Sequence, residues 1–159
     1  MAESTPKDRE DPKDRETSEA RPLNKGPGRL LVAVYGVFAL SAGARASVQI
    51  ATKFHEAPLA YTLSALAAVV YIVATVALAS SSARSRRIAV AAVGFELVGV
   101  LAVGTASLLD KQAFPDATVW SGFGQGYGYV PLVLPFVGLF WLWRTSRREP
   151  VAEATAPRD

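Results

Sequence analysis

The sequence predicts an all-α protein: a four-helix transmembrane bundle with both termini in the cytoplasm. Half of the 159 residues are hydrophobic, and nearly all of these lie between Leu30 and Trp143, while both ends of the chain are polar. Such segregation is typical of a membrane core with two polar tails. Four apolar stretches divide the core, at about 30–50, 59–80, 88–109 and 127–143.

The two polar tails, residues 1–29 and 146–159, are predicted to be disordered. The first is rich in Lys, Arg, Asp, Glu and Pro, and it contains the pentapeptide PKDRE twice. Segments with so few apolar side chains bury too little surface to offset the entropy of ordering. The folded part is therefore predicted to be the bundle at 30–145.

The first three apolar stretches are each long enough to cross a hydrocarbon core of about 30 Å as a helix. The second follows Pro58, a residue that suits the first turn of a helix. The fourth is shorter, because its uninterrupted apolar part from Val130 to Trp143 extends about 21 Å. The preceding Gly and Tyr residues are expected to complete it as a short re-entrant or unwound turn covered by protein.

The orientation follows from the basic residues near the span ends. The loops between spans one and two and between spans three and four hold only Lys53 and Lys111. The rest precede the first span, follow the fourth span or lie in a predicted basic loop at 80–87. They are Lys25, Arg29, Arg84, Arg86, Arg87, Arg144, Arg147 and Arg148. By the positive-inside rule, both termini and the basic loop are cytoplasmic.

The Gly-Tyr-Gly at 126–128 resembles the filter of potassium channels, but its surroundings predict an interfacial loop. A filter requires Thr and Val before the Gly-Tyr-Gly and a preceding pore helix, and here Gly124 and Gln125 stand in their place. The aromatic residues of this segment are expected at the headgroup level, where amphipathic rings are common. They are Trp120, Phe123, Tyr127 and Tyr129.

The composition argues against most cofactors. There is no Cys, one His and one Met, so disulfides, iron–sulfur clusters, thiolate zinc sites and bis-His haem are excluded. The polar outer-loop residues, His55, Glu56, Asp110 and Asp116, lack metal-ligand spacing. We expect no metal, no cofactor and no nucleic-acid partner, and no enzymatic activity, because no nucleophile and base lie at a common depth.

Glu96 is the sharpest functional candidate in the sequence. It lies about 12 Å above the cytoplasmic start of the third span, where an ionisable group is costly in lipid and should face the bundle. Its helical neighbours Ala92 and Gly99 are small enough for close packing. Tyr71 of the second span reaches a similar depth, and a hydrogen bond between Tyr71 and Glu96 is predicted.

Arg45 completes the candidate intramembrane polar site. It belongs to a polar stripe on the outer half of the first span, and it is expected to reach the outer headgroups or to pair with Glu56. On the opposite face of the span, Ala39, Gly43 and Ser47 form a small-residue series that permits close helix approach. One face can serve the bundle while the other meets a second chain, which predicts a homo-oligomer or a larger membrane partner.

Three stretches resemble a family of actinobacterial four-helix integral membrane proteins that has no established activity. They are TKFHEAPLAYTLSALAAVVYIVATVALA, FPDATVWSGFG and VPLVLPFVGLFWLWR. The resemblance implies the four-span topology and names no catalytic residue. The leading hypothesis is a non-enzymatic accessory or self-associating protein, multi-pass in the inner membrane. The alternative is a small ion- or proton-coupled transporter that uses Glu96.

Overall fold

The computed structural model describes residues 26–146, and this part of the chain is helical and contains no β-strand. Four α-helices and one 3₁₀ helix follow one another. They are α1 (Pro27–Lys53), α2 (Pro58–Ala79), α3 (Ala83–Leu109), the 3₁₀ helix (Ser121–Tyr127) and α4 (Val130–Ser146). The predicted all-α bundle is confirmed. The predicted disordered tails lie outside the described residues apart from 26–29 and Ser146. At 27–29 and at Ser146 the prediction is wrong, because these residues belong to α1 and α4.

Three of these helices have the length and hydropathy needed to cross a membrane, namely α1, α2 and α3. Their most apolar 18-residue windows have a mean hydropathy of 1.6, 2.2 and 2.1, respectively. The fourth helix, α4, has 17 residues and is about 25 Å long. It is bent by 99° against the 3₁₀ helix, and the two elements count as a fourth span only if they are taken together. These helices fit a membrane protein.

The start of α3 differs from the sequence prediction. The helix begins at Ala83, five residues before Ile88, because the Ser82 hydroxyl caps it by accepting a hydrogen bond from the Ser85 backbone N–H at 3.1 Å. Such a cap satisfies one of the free N–H groups of a first helical turn. The predicted basic loop at 80–87 is therefore too long. Its arginines lie in the first turns of α3, at Arg84, Arg86 and Arg87.

Consecutive helices pack against each other in an antiparallel arrangement. A Cβ atom added to Gly36 of α1 would lie 3.7 Å from Thr75 of α2, and one added to Gly43 would lie 4.0 Å from Ala68. The contact positions rise along α1 and fall along α2, so the two helices run in opposite directions. In contrast with the α1–α2, α2–α3 and α3–α4 pairs, α1 and α4 have few direct contacts.

This arrangement places most of the described basic residues at one end of the bundle. The start of α1, the start of α3 and the end of α4 share that end. It carries Arg29, Arg84, Arg86, Arg87 and Arg144, whereas the opposite end carries Lys53 and Lys111. We refer to these as the basic end and the outer end.

Candidate functional site

Glu96 lies in the middle of the bundle and is fully buried. Its Oε2 atom accepts a hydrogen bond of 2.7 Å from the hydroxyl of Tyr35 on α1. Tyr35 is also fully buried, and its hydroxyl lies 3.4 Å from the position of a Cβ added to Gly138 of α4. Gly138 thus leaves the space in which the tyrosine reaches the carboxyl group between three helices.

Tyr71 of α2 lies beside this pair and is also fully buried. Its ring centroid is 6.2 Å from that of Tyr35, and it interacts electrostatically with the Glu96 carboxyl group. Its hydroxyl accepts a hydrogen bond of 3.1 Å from the indole Nε1–H of Trp120. Among the described residues, Glu96 Oε1 has no hydrogen-bond partner. The expected hydrogen bond from Tyr71 to Glu96 stays a prediction.

Trp120 lies in the core, and the expectation that it sits at the headgroup level is wrong. Its side chain is 1% exposed and covers Gly99 of α3, where an added Cβ would lie 2.7 Å from the indole ring. Gly99 therefore accommodates an indole from the loop that follows α3. The segment between α3 and α4, residues 110–129, folds back into the bundle, and the buried Trp120 side chain holds it there.

A left-handed turn follows this anchor. Gly122, Phe123 and Gly124 have φ values of 54°, 61° and 82°, a conformation that costs a residue with a side chain about 1–2 kcal/mol. The Phe123 ring compensates by packing on Gly104, where an added Cβ would lie 2.9 Å from the Phe123 backbone nitrogen. The Gly122 N–H donates a hydrogen bond of 2.9 Å to Ser107 of α3. Tertiary contacts thus hold the backbone in this conformation.

Arg45 fastens the same segment from the outer end. Its guanidinium donates hydrogen bonds to the Tyr127 hydroxyl at 3.2 Å and to the Ala117 carbonyl at 3.3 Å. The alternative of pairing with Glu56 is wrong, because Glu56 forms its ion pair with Lys53 at 3.8 Å. The structure therefore separates Arg45 from Glu96: one holds the outer segment and the other holds the middle of the bundle.

A second contact at the outer end joins α2 to the segment. The Tyr61 hydroxyl of α2 donates a hydrogen bond to the Asp116 carboxylate, and Tyr61 is fully buried. Within residues 26–146, no three His, Asp or Glu side chains are grouped so that they could hold a metal ion. Asp116 thus has a structural partner, and it fixes the point where the segment turns back into the bundle.

The arrangement at the middle of the bundle joins four segments through one carboxyl group, two phenols and one indole. No family model, curated protein or solved structure matches this chain. The four side chains, Tyr35, Tyr71, Glu96 and Trp120, have relative exposures of 0–1%. Their hydrogen bonds cross from α1 to α3 and from the segment to α2. Chemically, such a cluster can hold a proton or can fix the packing of the helices.

Two neighbouring grooves follow the α1–α2 seam on the outside of the bundle. The one toward the outer end has a volume of about 390 Å³, the other about 480 Å³, and Gly43 lines both. The small-residue series from the sequence lies here: Ala39 lines the second groove and Ser47 the first. Gly43 also approaches Ala68 of α2 within the chain, so the series contributes to the bundle and to its surface.

Proposed function

We propose that this chain is a multi-pass protein of the inner membrane that acts without catalysis, as an accessory or self-associating component. The observation that carries the proposal is the pair of grooves on the α1–α2 seam. Together they extend from Gly36 to Ala51 of α1, which is about 22 Å of helix. That length approaches the thickness of the hydrocarbon core, so a helix of a second chain can lie along it.

The residues that line the seam suit such a helix. Small side chains allow two helix backbones to approach closely, and close packing drives helix association in lipid. The α1 wall consists mainly of such residues. It includes Gly36, Ala39, Gly43, Ala44, Ala46, Ser47 and Ala51. We infer that the partner presents a ridge of larger side chains to this surface.

The buried cluster supports the non-enzymatic part of the proposal. Glu96 is fully buried beside Tyr35 and Tyr71, and its hydrogen bond with Tyr35 joins helices that are distant in sequence. A polar side chain that bonds across helices acts as an adhesive in a membrane bundle. We also propose that the basic end faces the cytoplasm, as the positive-inside rule requires. The resemblance to actinobacterial four-helix membrane proteins supports the same topology.

A cysteine placed in the seam tests self-association. Because the chain has no native Cys, Ser47→Cys introduces a single reactive thiol in an exposed position that lines a groove. We expect oxidation in native membranes to give a disulfide-linked dimer. The matched control is Val98→Cys on α3, which is 65% exposed and lies outside both grooves; it should stay monomeric on denaturing gels.

The cross-linking result alone does not distinguish a chain that binds a different partner from one that has no partner. If Ser47→Cys gives no homodimer, affinity purification of the full chain in mild detergent, followed by native mass measurement, should reveal a stoichiometric partner. A monomeric chain with no partner in both measurements would refute the proposal. Equal cross-linking of the Ser47 and Val98 variants would also count against it, because it would indicate random collision.

The second candidate function is a proton- or ion-coupled transporter centred on Glu96. One observation favours it: Glu96 Oε1 is buried and lacks a hydrogen-bond partner within the described residues, so it can accept a proton or a second donor. Glu96→Gln keeps the shape and the acceptor for Tyr35 but removes the ionisable group. Under our first proposal, the variant keeps its assembly, and proteoliposomes of both proteins show the same proton flux as empty liposomes. Flux in the native protein that Glu96→Gln abolishes would establish the transporter instead.

A further inference from the structure

A separate groove runs along the seam between α1 and α4, where these helices have few direct contacts. Its volume is about 390 Å³, and nearly all of its lining is apolar. The residues are Pro27, Leu30, Leu31 and Val34 of α1 and Val130, Val133, Leu134, Val137 and Trp141 of α4, with Gly128 before α4. The groove opens toward the surroundings of the bundle, which are hydrocarbon in a membrane.

The dimensions of this groove suit a single hydrocarbon chain. Val130 to Trp141 is about 16 Å of helix, and an acyl chain in its extended form can lie along that length. The lining consists mainly of Val, Leu, Pro and Trp side chains, which are apolar like the acyl chain itself. An extended acyl chain fills such a channel along its length.

The basic end of the groove carries a positive charge. Arg144 lies three residues after Trp141 and thus continues the same face of α4; it forms no hydrogen bond or ion pair with any residue in the range 26–146. On the opposite wall, Pro27 begins α1. The apolar channel therefore ends beside a positive charge, which is complementary to a phosphate group.

We propose that this groove binds one acyl chain of an anionic phospholipid, whose phosphate contacts Arg144. The two parts of the site occur in the order that a phospholipid requires. The charged site lies at the level of the basic end, where headgroups lie, and the channel extends from there toward the membrane interior. The proposal commits to a membrane lipid, because a free phosphate ion would leave the channel without an occupant.

Native mass spectrometry of the full chain in detergent tests this proposal. The probes are dioleoyl phosphatidylglycerol and dioleoyl phosphatidylcholine, which share their acyl chains and differ in net charge. We expect the native protein to bind phosphatidylglycerol about fivefold more tightly, the effect of one arginine near an anionic headgroup. Arg144→Gln should bring the two affinities to parity. Arg84 is an exposed arginine of α3 at the basic end of the bundle, and Arg84→Gln should keep the preference for phosphatidylglycerol.

Filling the channel tests the acyl chain separately. Val137 is 50% exposed, so Val137→Trp blocks the groove with little effect on the core, and we expect it to weaken binding of both lipids. Val98→Trp on α3, outside the groove, is the control and should bind as the native protein does. Equal native affinity for the two lipids, or equal effects of Arg144→Gln and Arg84→Gln, would overturn the proposal. Unchanged lipid binding by Val137→Trp would do the same, and if that variant does not fold, the arginine pair decides.

Discussion

Replacement of Trp120 by Ala should lower the free energy of unfolding by about 3–5 kcal/mol, the range for deletion of a buried aromatic side chain. The indole is 1% exposed, covers Gly99 and donates its N–H to Tyr71. Its removal leaves a cavity between α2 and α3 and takes away the anchor of the segment before α4. The measurement is denaturation by sodium dodecyl sulfate in mixed micelles, followed by far-ultraviolet circular dichroism.

Two further variants separate packing from hydrogen bonding at this site. Trp120→Phe keeps a ring but loses the donor to Tyr71, so it should cost less than Trp120→Ala, with about 1 kcal/mol from the hydrogen bond. Phe136→Ala removes an aromatic side chain that is 53% exposed on α4, and it should change stability by less than about 0.5 kcal/mol. If Trp120→Ala were as mild as Phe136→Ala, the indole would not be an anchor.

Two glycines of α3 should respond to the same substitution with opposite signs. A Cβ atom at Gly104 would lie 2.9 Å from the Phe123 backbone nitrogen, so Gly104→Ala forces the left-handed turn to move. Overpacking of this kind costs about 1–3 kcal/mol. No atom lies within 4 Å of a Cβ at Gly94, so Gly94→Ala should stabilise the helix by about 0.5–1 kcal/mol.

The comparison is well controlled, because both substitutions add one methyl group to the same helix. Unfolding of the two variants in the same mixed micelles gives the difference directly. Stabilisation by both substitutions would mean that helix propensity dominates and that Phe123 moves away at no cost. Such a result would contradict the close packing of the segment on α3.

The sequence predicted the helices well because their signals are local. Apolar stretches of spanning length, and Pro58 at a helix start, depend on neighbouring residues only, and the structure has a helix at each predicted span. The start of α3 lies five residues before the predicted start at Ile88, because the Ser82 cap begins the helix within the basic stretch that indicates a loop. A serine three residues before another polar residue is a weak signal, and a run of arginines obscures it.

The candidate site was predicted in part. The depth argument placed Glu96 and Tyr71 together, and they do lie side by side. It did not identify Tyr35, although the hydroxyl of a tyrosine in the first span at that depth was a possible donor. Trp120 could not be placed, because its position depends on a reversal of the chain at Gly122–Gly124. Gly99 was the available signal, since a glycine beside a buried carboxyl group leaves room for a large side chain.

The unequal lengths of α3 and α4 have a consequence for the surrounding bilayer. α3 extends about 40 Å and its neighbour α4 only about 25 Å. At the outer end, a pocket of about 600 Å³ lies between the end of α3 and the segment before α4, with polar lining from Ser107, Ser121 and Gln125. Lipids beside α4 meet an apolar wall shorter than a hydrocarbon core of about 30 Å, and they adapt by local thinning or by tilting the protein. In a bilayer, the chain would therefore present a shorter apolar wall at α4 than at its longer neighbours, and such a hydrophobic mismatch favours thinner membrane regions.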